Sequence, residues 1–294
     1  MSKLKKSIGK RFTITTEVKP PRGADTTKLL RELSQIKKIK KITAVNVIDS
    51  PSARLYMSSL GASILLRQKG VEPIFQMVCR DRNVLALESD LLSASVFGIE
   101  NILALTGDHP SKGASDHPHI KPVYDLDSTS LIKAVNLMNQ STDLSGTTLD
   151  GATDFFVGAA ISPNVVPKEP EMLKIRRKIE AGAGFFQTQP LFTTQQVKEF
   201  NQYIGKYAPE VSNKTLVGLI PLTSEKMITF LNHLPGINVP KEVAERVCNS
   251  RDPSQEGVNV CIELADEIKK YGFGGVHIMP VGKTESLKKI LSEI

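Results

Sequence analysis

The sequence predicts an α/β protein, a closed (β/α)₈ TIM barrel folded as a single domain. Three observations carry that expectation. Short apolar, β-branched runs alternate with longer amphipathic ones along the whole chain. The short runs number eight, each followed by a helical pattern, and right-handed crossovers would close that count into a barrel. A doubly wound sheet, the competing architecture, needs a glycine-rich turn after the first strand. Here that position reads Glu17-Val18-Lys19-Pro20-Pro21-Arg22-Gly23, and no GxGxxG occurs anywhere.

The first strand pattern is residues 12–18, FTITTEV. A helix is expected over 26–38, where Leu29, Leu30, Leu33 and Ile36 share a face. The next strand–helix pairs are 43–48 with 54–68 and 73–78 with 83–97. The fourth strand, 101–105, is separated from its helix at 128–139 by a polar stretch over 106–127. That stretch is punctuated by Asp108-His109-Pro110 and Asp116-His117-Pro118. Strands at 154–160 and 184–189 pair with helices at 169–181 and 194–207. The seventh strand, 216–221, precedes three helical patterns at 224–233, 241–249 and 255–271, so extra helices stand before the last strand at 275–279. A helix over 285–291 ends the pattern. Gly282-Lys283-Thr284 looks like the end of a phosphate-cradling loop, but His277 stands where its first glycine belongs. With no long repeat or low-complexity linker, the barrel is expected to span residues 12–294 behind a basic extension at 1–11.

The 294 residues are 40% hydrophobic and 23% charged, ordinary for a soluble, well-packed chain. The formal charge of +7 raises nucleic acid as a partner, but five of those units sit in the first eleven residues. Lys37, Lys38, Lys40 and Lys41 form the other basic run. Neither run is interleaved with aromatics, so they read as a solvated tail and a helix end, with no nucleic acid. Cys79, Cys248 and Cys261 stand far apart without CxxC spacing, which excludes a disulfide framework or structural zinc and fits a reducing cytoplasm. No apolar run reaches a membrane span, and no apolar segment follows the basic N-terminus as in a secretory signal.

A barrel of this kind carries its site at the C-terminal strand ends. The polar residues there are Glu17, Asn46 with Asp49, Gln76, Asp108, Ser162 with Asn164, and Gln189. His277, in the last strand, is expected to face away from the mouth. The carboxylates are spread over separate strands, so no metal site is expected. Glu17 has two readings: a partly desolvated general acid, or a carboxylate paired with a nearby Lys or Arg. Asp108, behind the permissive Gly107, sits over the site or starts the long loop as an Asx turn. Gln187 and Gln189 are two apart and share a face. An inward amide suits the donor–acceptor edge of a heterocycle; a satisfied core amide is the alternative. Arg176, Arg177 and Lys178 are adjacent on one helix and cannot all face one way, so one or two are available to a phosphate. His109, His117 and His119 read as part of a polar lid.

These segments together resemble the methylenetetrahydrofolate reductase family, flavin-dependent (β/α)₈ barrels. The resemblance runs from about Phe12 to Ile290 and rests on five motifs. They are Thr16-Glu17-Val18-Lys19-Pro20-Pro21-Arg22, Val78-Cys79-Arg80-Asp81-Arg82-Asn83, Ala104-Leu105-Thr106-Gly107-Asp108, Lys178-Ile179-Glu180-Ala181-Gly182-Ala183 and Gln187-Thr188-Gln189-Pro190-Leu191-Phe192. The resemblance implies reduction of 5,10-methylenetetrahydrofolate to 5-methyltetrahydrofolate by hydride from a reduced flavin, FAD with FMN as the alternative. The family's catalytic acid falls on Glu17, and its aspartate beside flavin and pterin on Asp108. The pterin-binding glutamine falls on Gln189, with Gln187 the second candidate. Flavin contacts fall on Asn46, Gln76, Thr106, Gly107, Asp108, Tyr124, Ser162 and Asn164, and the helix residues that meet the flavin phosphates on Arg177 and Lys178.

Three positions depart from the better-known pattern: Gln76 for His, Thr106 for Arg, and Ser162–Asn164 where an aromatic is familiar. They leave open NADH, NADPH or an electron-donating partner subunit as the source of electrons. The resemblance also implies homo-oligomers as a common state, and no C-terminal regulatory domain is expected. The competing functional class is a flavin- or folate-binding subunit inactive without its electron-donating partner. A Schiff-base lyase barrel is disfavoured because the last three strands hold no lysine.

Overall fold

The computed structural model describes residues 1–112, 115–117, 119–234, 236–280 and 284–294. Pro118 and the Gly282-Lys283 pair noted above lie outside the described residues. Eight parallel strands follow one another in chain order and close on themselves. They are β1 (Thr13–Val18), β2 (Ala44–Val47), β3 (Pro73–Val78), β4 (Asn101–Leu105), β5 (Phe156–Ile161), β6 (Phe185–Pro190), β7 (Thr215–Leu219) and β8 (Gly275–Ile278). Closure is made by β8 pairing with β1, where Thr15 lies opposite His277.

The helices around the barrel are α2 (Thr27–Ile36), α3 (Ser59–Gln68), α4 (Val84–Val96), α5 (Ser128–Met138), α6 (Glu169–Glu180) and α7 (Thr194–Tyr207), preceded by a short α1 (Lys3–Ser7). Between β7 and β8 stand α8 (Glu225–Asn232), α9 (Lys241–Cys248) and α10 (Pro253–Lys270); α11 (Thr284–Glu293) follows β8. Side-chain caps set several starts. Asn83 accepts from the Ala86 N–H, Asp127 from Ser130, and Thr193 with Gln196 forms a reciprocal capping box. The helix expected over 54–68 begins later because Ser58 is its cap, accepting from the Gly61 N–H. Before it, Pro51–Ala53 make a 3₁₀ turn in which Ser52 and Ala53 take positive φ. Among the described residues no helix is long and apolar enough to cross a membrane.

Strand alternation divides the core. Phe75, Met77, Ile102, Val157, Phe186, Val217 and Val276 face outward and pack beneath the helices. Ala44, Ile74, Leu103, Phe185 and Leu216 face inward and fill the lower interior. Phe185 fits there because residue 158 is glycine: a Cβ at that position would stand 2.4 Å from the Phe185 ring.

The N-terminal run expected as a solvated tail instead closes the bottom of the barrel. Leu4 and Ile8, one helical turn apart, join the lower interior cluster, and Leu4 is fully buried. The Glu72 carboxylate accepts from the Lys3 and Leu4 N–H groups at 2.8 Å each and from Asn101 at 3.1 Å. It thereby satisfies donors that the start of a helix leaves open. The second basic run is also engaged. Lys41 donates to the Leu291 and Ile294 carbonyls at the end of α11, and Lys37 to the Lys69 carbonyl behind α3. Leu4→Ala should therefore cost about 3 kcal/mol in urea unfolding, as for other fully buried leucines. A loss below about 1 kcal/mol would contradict the plug.

Candidate functional site

With the lower end plugged, the interior opens at the C-terminal strand ends. Asn46 on β2 and Gln187 on β6 meet inside the barrel through reciprocal amide hydrogen bonds of 2.7 and 3.1 Å. Both are buried, and each satisfies a donor and an acceptor of the other. Two residues earlier on the same strands, Ala44 and Phe185 belong to the apolar lower interior. The amide pair thus forms the polar floor of the mouth.

Above it stand groups with no such partner. Gln76 is nearly buried and Gln189 half-buried, and among the described residues neither amide makes a side-chain hydrogen bond. Gln189 lies where β6 shifts register against β7, between Gln187 and Pro190; the Thr188 hydroxyl takes the Gly218 N–H there. Bulges of this kind re-aim side chains beside sites. Glu17 lies with its side chain 18% exposed.

His277 does not face away. Its outward neighbours Val276 and Ile278 lie in the outer core, so alternation turns His277 inward. Its Nδ1 is 3.0 Å from the Thr15 hydroxyl and its Nε2 3.4 Å from Glu17 Oε2. The expectation fails because the apolar pair flanking the histidine, Val276 and Ile278, takes the outward face. That pair was the available signal.

The rim beside this mouth is built by the β4 loop. Thr106, Gly107, Asp108, His109, Tyr124, Leu126 and Asp127 line a cavity of about 490 Å³. Gly107 has φ +89°, and a Cβ there would stand 2.4 Å from Val78 Cγ1, so no other residue fits the turn. The Tyr124 hydroxyl donates to the Gly107 carbonyl, and burial raises its pKa, with the Asp108 and Asp81 charges adding. Buried Arg80 holds the turn from below. It donates to the Asp108 and Ser50 carbonyls at 3.3 and 3.1 Å and makes a bidentate pair with Asp81. Sequence reasoning did not single out Arg80; its presence in the CRDRN motif was the only signal. Asp49 likewise supports rather than faces the site, accepting from the Val78 N–H and from Arg82.

A second cavity of about 600 Å³ opens from Glu17 between the β1 loop and α2. Lys19, Arg22, Lys28, Glu32 and Tyr56 are among its lining residues. Burial raises the pKa of Glu32; Lys28 opposes this and the Glu17 charge adds to it. The long loop closes over this side, since Arg22 pairs with Asp116 and the Ser115 hydroxyl donates to the Ala53 carbonyl.

The structure brings together Glu17, Asn46, Gln76, Gln187 and Gln189 inside the mouth, and Thr106, Gly107, Asp108 and Tyr124 on its rim. It does not bring Ser162 and Asn164 into either cavity. The Ser162 N–H donates to Glu171, and the Asn164 amide donates at 3.5 Å to the Pro190 carbonyl. The basic triplet splits three ways: Arg176 pairs with Glu210, Arg177 is exposed, and Lys178 is buried. The Lys178 ammonium donates at 2.7 Å to the Ala160 carbonyl near the end of β5, and burial lowers its pKa. Among the described residues no three His, Cys, Asp or Glu side chains stand together as a metal-holding group.

A model of the methylenetetrahydrofolate reductase family matches residues 3–294. A probable methylenetetrahydrofolate reductase (NADPH) of Caenorhabditis elegans is 23% identical over 246 residues, covering 81% of this chain and 34% of that protein. The 5,10-methylenetetrahydrofolate reductase of Escherichia coli K12 is 22% identical over 196 residues, covering 64% of this chain and 58% of that protein. The chain therefore matches between about a third and three fifths of the length of these curated relatives. Among solved structures, an uncharacterized Clostridium thermocellum protein that binds two copies of 5-methyl-5,6,7,8-tetrahydrofolic acid shares the fold. Its TM-score is 0.68 at 17% identity, covering 96% of this chain and 93% of that one.

The amide floor makes a testable claim. Asn46→Leu and Gln187→Leu should each destabilise the protein by about 1–3 kcal/mol, by leaving the partner amide buried and unpaired. The double variant should lose less than the two together, with a coupling of about 1–2 kcal/mol in urea unfolding. Strict additivity would show that the pair is not an interacting unit.

Proposed function

The chain belongs to the methylenetetrahydrofolate reductase family, and from that premise we propose that its barrel mouth reduces 5,10-methylenetetrahydrofolate to 5-methyltetrahydrofolate with a bound flavin. The observation that carries this reading is the meeting of an acid, Glu17, with unengaged amides at one barrel mouth, next to a rim cavity lined by Asp108.

The reaction needs a proton on N10, the nitrogen that leaves when the five-membered ring opens. Glu17 supplies it from the wall of the mouth. Ring opening leaves a positive charge at N5 and its methylene carbon. Asp108 meets that charge with a carboxylate whose loop is fixed by Arg80 and Gly107, so little reorganisation accompanies the step. Gln189 offers donor and acceptor to the pterin amide edge. Gln187 is held by Asn46 in the floor, which supports the reading of Gln189 as the pterin ligand of the two.

The rim cavity fits a flavin. Its volume of about 490 Å³ lies in the range of small-ligand sites, and Leu126 offers an apolar contact beside the polar groups of Thr106, Asp108 and Tyr124. Gln76 brings a free amide nearby, and exposed Arg177 remains available to a phosphate. When bound, FAD or FMN supplies the hydride. The same fold holds 5-methyltetrahydrofolic acid in the C. thermocellum protein, which supports folate as a ligand for such a mouth.

Purified protein should be yellow, with near-stoichiometric flavin; a colourless protein that neither FAD nor FMN reconstitutes would remove the cofactor from the account. Glu17→Gln should lower the folate half-reaction by about 100-fold or more while flavin reduction by its donor persists. Equal losses in both halves would assign Glu17 a structural role. Asp108→Asn should slow the folate half-reaction in a protein of unchanged unfolding midpoint, and full turnover would take Asp108 out of the site. Anaerobic reduction with NADH, NADPH and an artificial donor separates a self-sufficient enzyme from a subunit that needs an electron-donating partner. Bleaching by either nicotinamide marks the former, and bleaching by the artificial donor alone the latter.

A further inference from the structure

We propose that the outward face of α4 is the contact through which two copies of this chain pair, their α4 helices packed antiparallel about a two-fold axis. From Leu85 to Phe97 the exposed residues are Leu85, Ser89, Leu92, Val96 and Phe97, and none is charged. Leu85 is 77% exposed, Val96 83%, Phe97 51% and Leu92 40%. Leu85, Ser89, Leu92 and Val96 follow one another at steps of four, three and four, the a and d positions of a heptad. So strict a stripe is the seam of a helix that packs on another helix. A second stripe, Leu87, Leu91 and Ala94, is fully buried against the barrel. Thus α4 carries two apolar seams, and the barrel covers one.

Other outer helices present charge instead. The exposed residues of α10 are Glu263, Asp266, Lys269 and Lys270, and on α6 the exposed Leu173 stands among Lys174, Arg176 and Arg177. The two acids of α4 are turned aside and engaged. Glu88 accepts from the Leu144 N–H at 2.8 Å, and Asp90 pairs with Arg82 at 2.9 Å. Neighbouring α3 adds no charge before Arg67. An uncharged seam offers nothing to a transient redox partner, which complementary charge would capture. A second α4 matches it, because both seams are apolar and neither leaves a charge desolvated against the other.

The seam is also complementary to itself. With the axis midway between Ser89 and Leu92, Leu85 meets the partner's Val96 and Ser89 meets the partner's Leu92. The small serine receives the leucine, so large and small alternate across the central layers. Leu85, Leu92, Val96 and Phe97 together expose roughly 400 Å², half of what each partner gives to a standard interface. The remainder is the polar rim that surrounds such an apolar centre. At the mouth end of α4 the Val84 N–H donates to Asp125 of the β4 loop, and the helix runs from there to the lower end of the barrel. Antiparallel packing therefore points the two mouths in opposite directions, and each copy keeps its own site.

Sedimentation velocity of the full chain tests the pairing. Wild type should sediment at twice the chain mass at about 50 μM, as a dissociation constant in the micromolar range or tighter requires. Leu85→Glu with Val96→Glu sets like charges opposite one another in an apolar centre. It should weaken self-association by about 100-fold or more, with far-ultraviolet circular dichroism unchanged. Leu85→Glu with Val96→Lys sets opposite charges in the same layers and should recover the dimer. Residues 85 and 96 are about three helical turns apart within one chain, so that recovery reads a contact between copies. A monomeric wild type would overturn the proposal and leave the seam to a different chain. A dimer unweakened by Leu85→Glu with Val96→Glu would overturn it by placing the contact elsewhere. Equal weakening by the two variant pairs would overturn the antiparallel register.

Discussion

A closed barrel has one interior, and that interior must be filled by side chains from every strand. Here the central constraint is the reciprocal Asn46–Gln187 pair. Below it, apolar residues of five strands pack against Leu4 of α1 and Ile8 just after it. Above it, every inward polar group is at a mouth. The pair spans the barrel from β2 to β6 and consumes both amides, so the floor itself needs no ligand. The groups left unengaged among the described residues, Gln76, Gln189 and the Asp108 carboxylate, are thereby the ones a ligand can satisfy. Burying free amides at the floor would carry a desolvation cost; leaving them at the mouth lets a substrate meet that demand.

The rim is held by a different device. Arg80 is buried and ties together the loops after β2, β3 and β4 through Ser50, Asp81 and Asp108. Its own backbone joins the same network, donating to the Thr106 carbonyl and accepting from the Val123 N–H. Ser50, Ser52, Ala53 and Tyr124 all take positive φ nearby, a conformation that non-glycine residues hold only when their surroundings enforce it. A guanidinium with five donors in a fixed fork can enforce it, whereas a lysine cannot. The loop carrying Asp108 is therefore pre-set rather than assembled on binding.

Much of the scaffold was legible in the sequence. The strands at 73–78 and 101–105 and the helix at 194–207 were read with their observed bounds, because apolar periodicity and clear flanking residues coincide there. Boundaries slipped where a cap or a turn decides them, as at Ser58, whose hydroxyl starts α3 later than the apolar pattern suggests. The N-terminal plug was missed because five cations in eleven residues outweighed two apolar side chains one turn apart. The mouth was legible as a set of strand-end polar residues, but not its internal division. Gln187 and Gln189 share a strand and a spacing, and only the partner across the barrel separates a floor amide from a free one. His277 was readable in principle from Val276 and Ile278; Arg80, whose role depends on three loops meeting, was not.

The most direct measurement is a crystal structure of the protein with 5-methyltetrahydrofolate. The account predicts the pterin above the Asn46–Gln187 pair, its amide edge on Gln189, and N10 within hydrogen-bond reach, about 3.2 Å, of Glu17. A folate bound outside this mouth, or one whose N10 faces an acid other than Glu17, would contradict it.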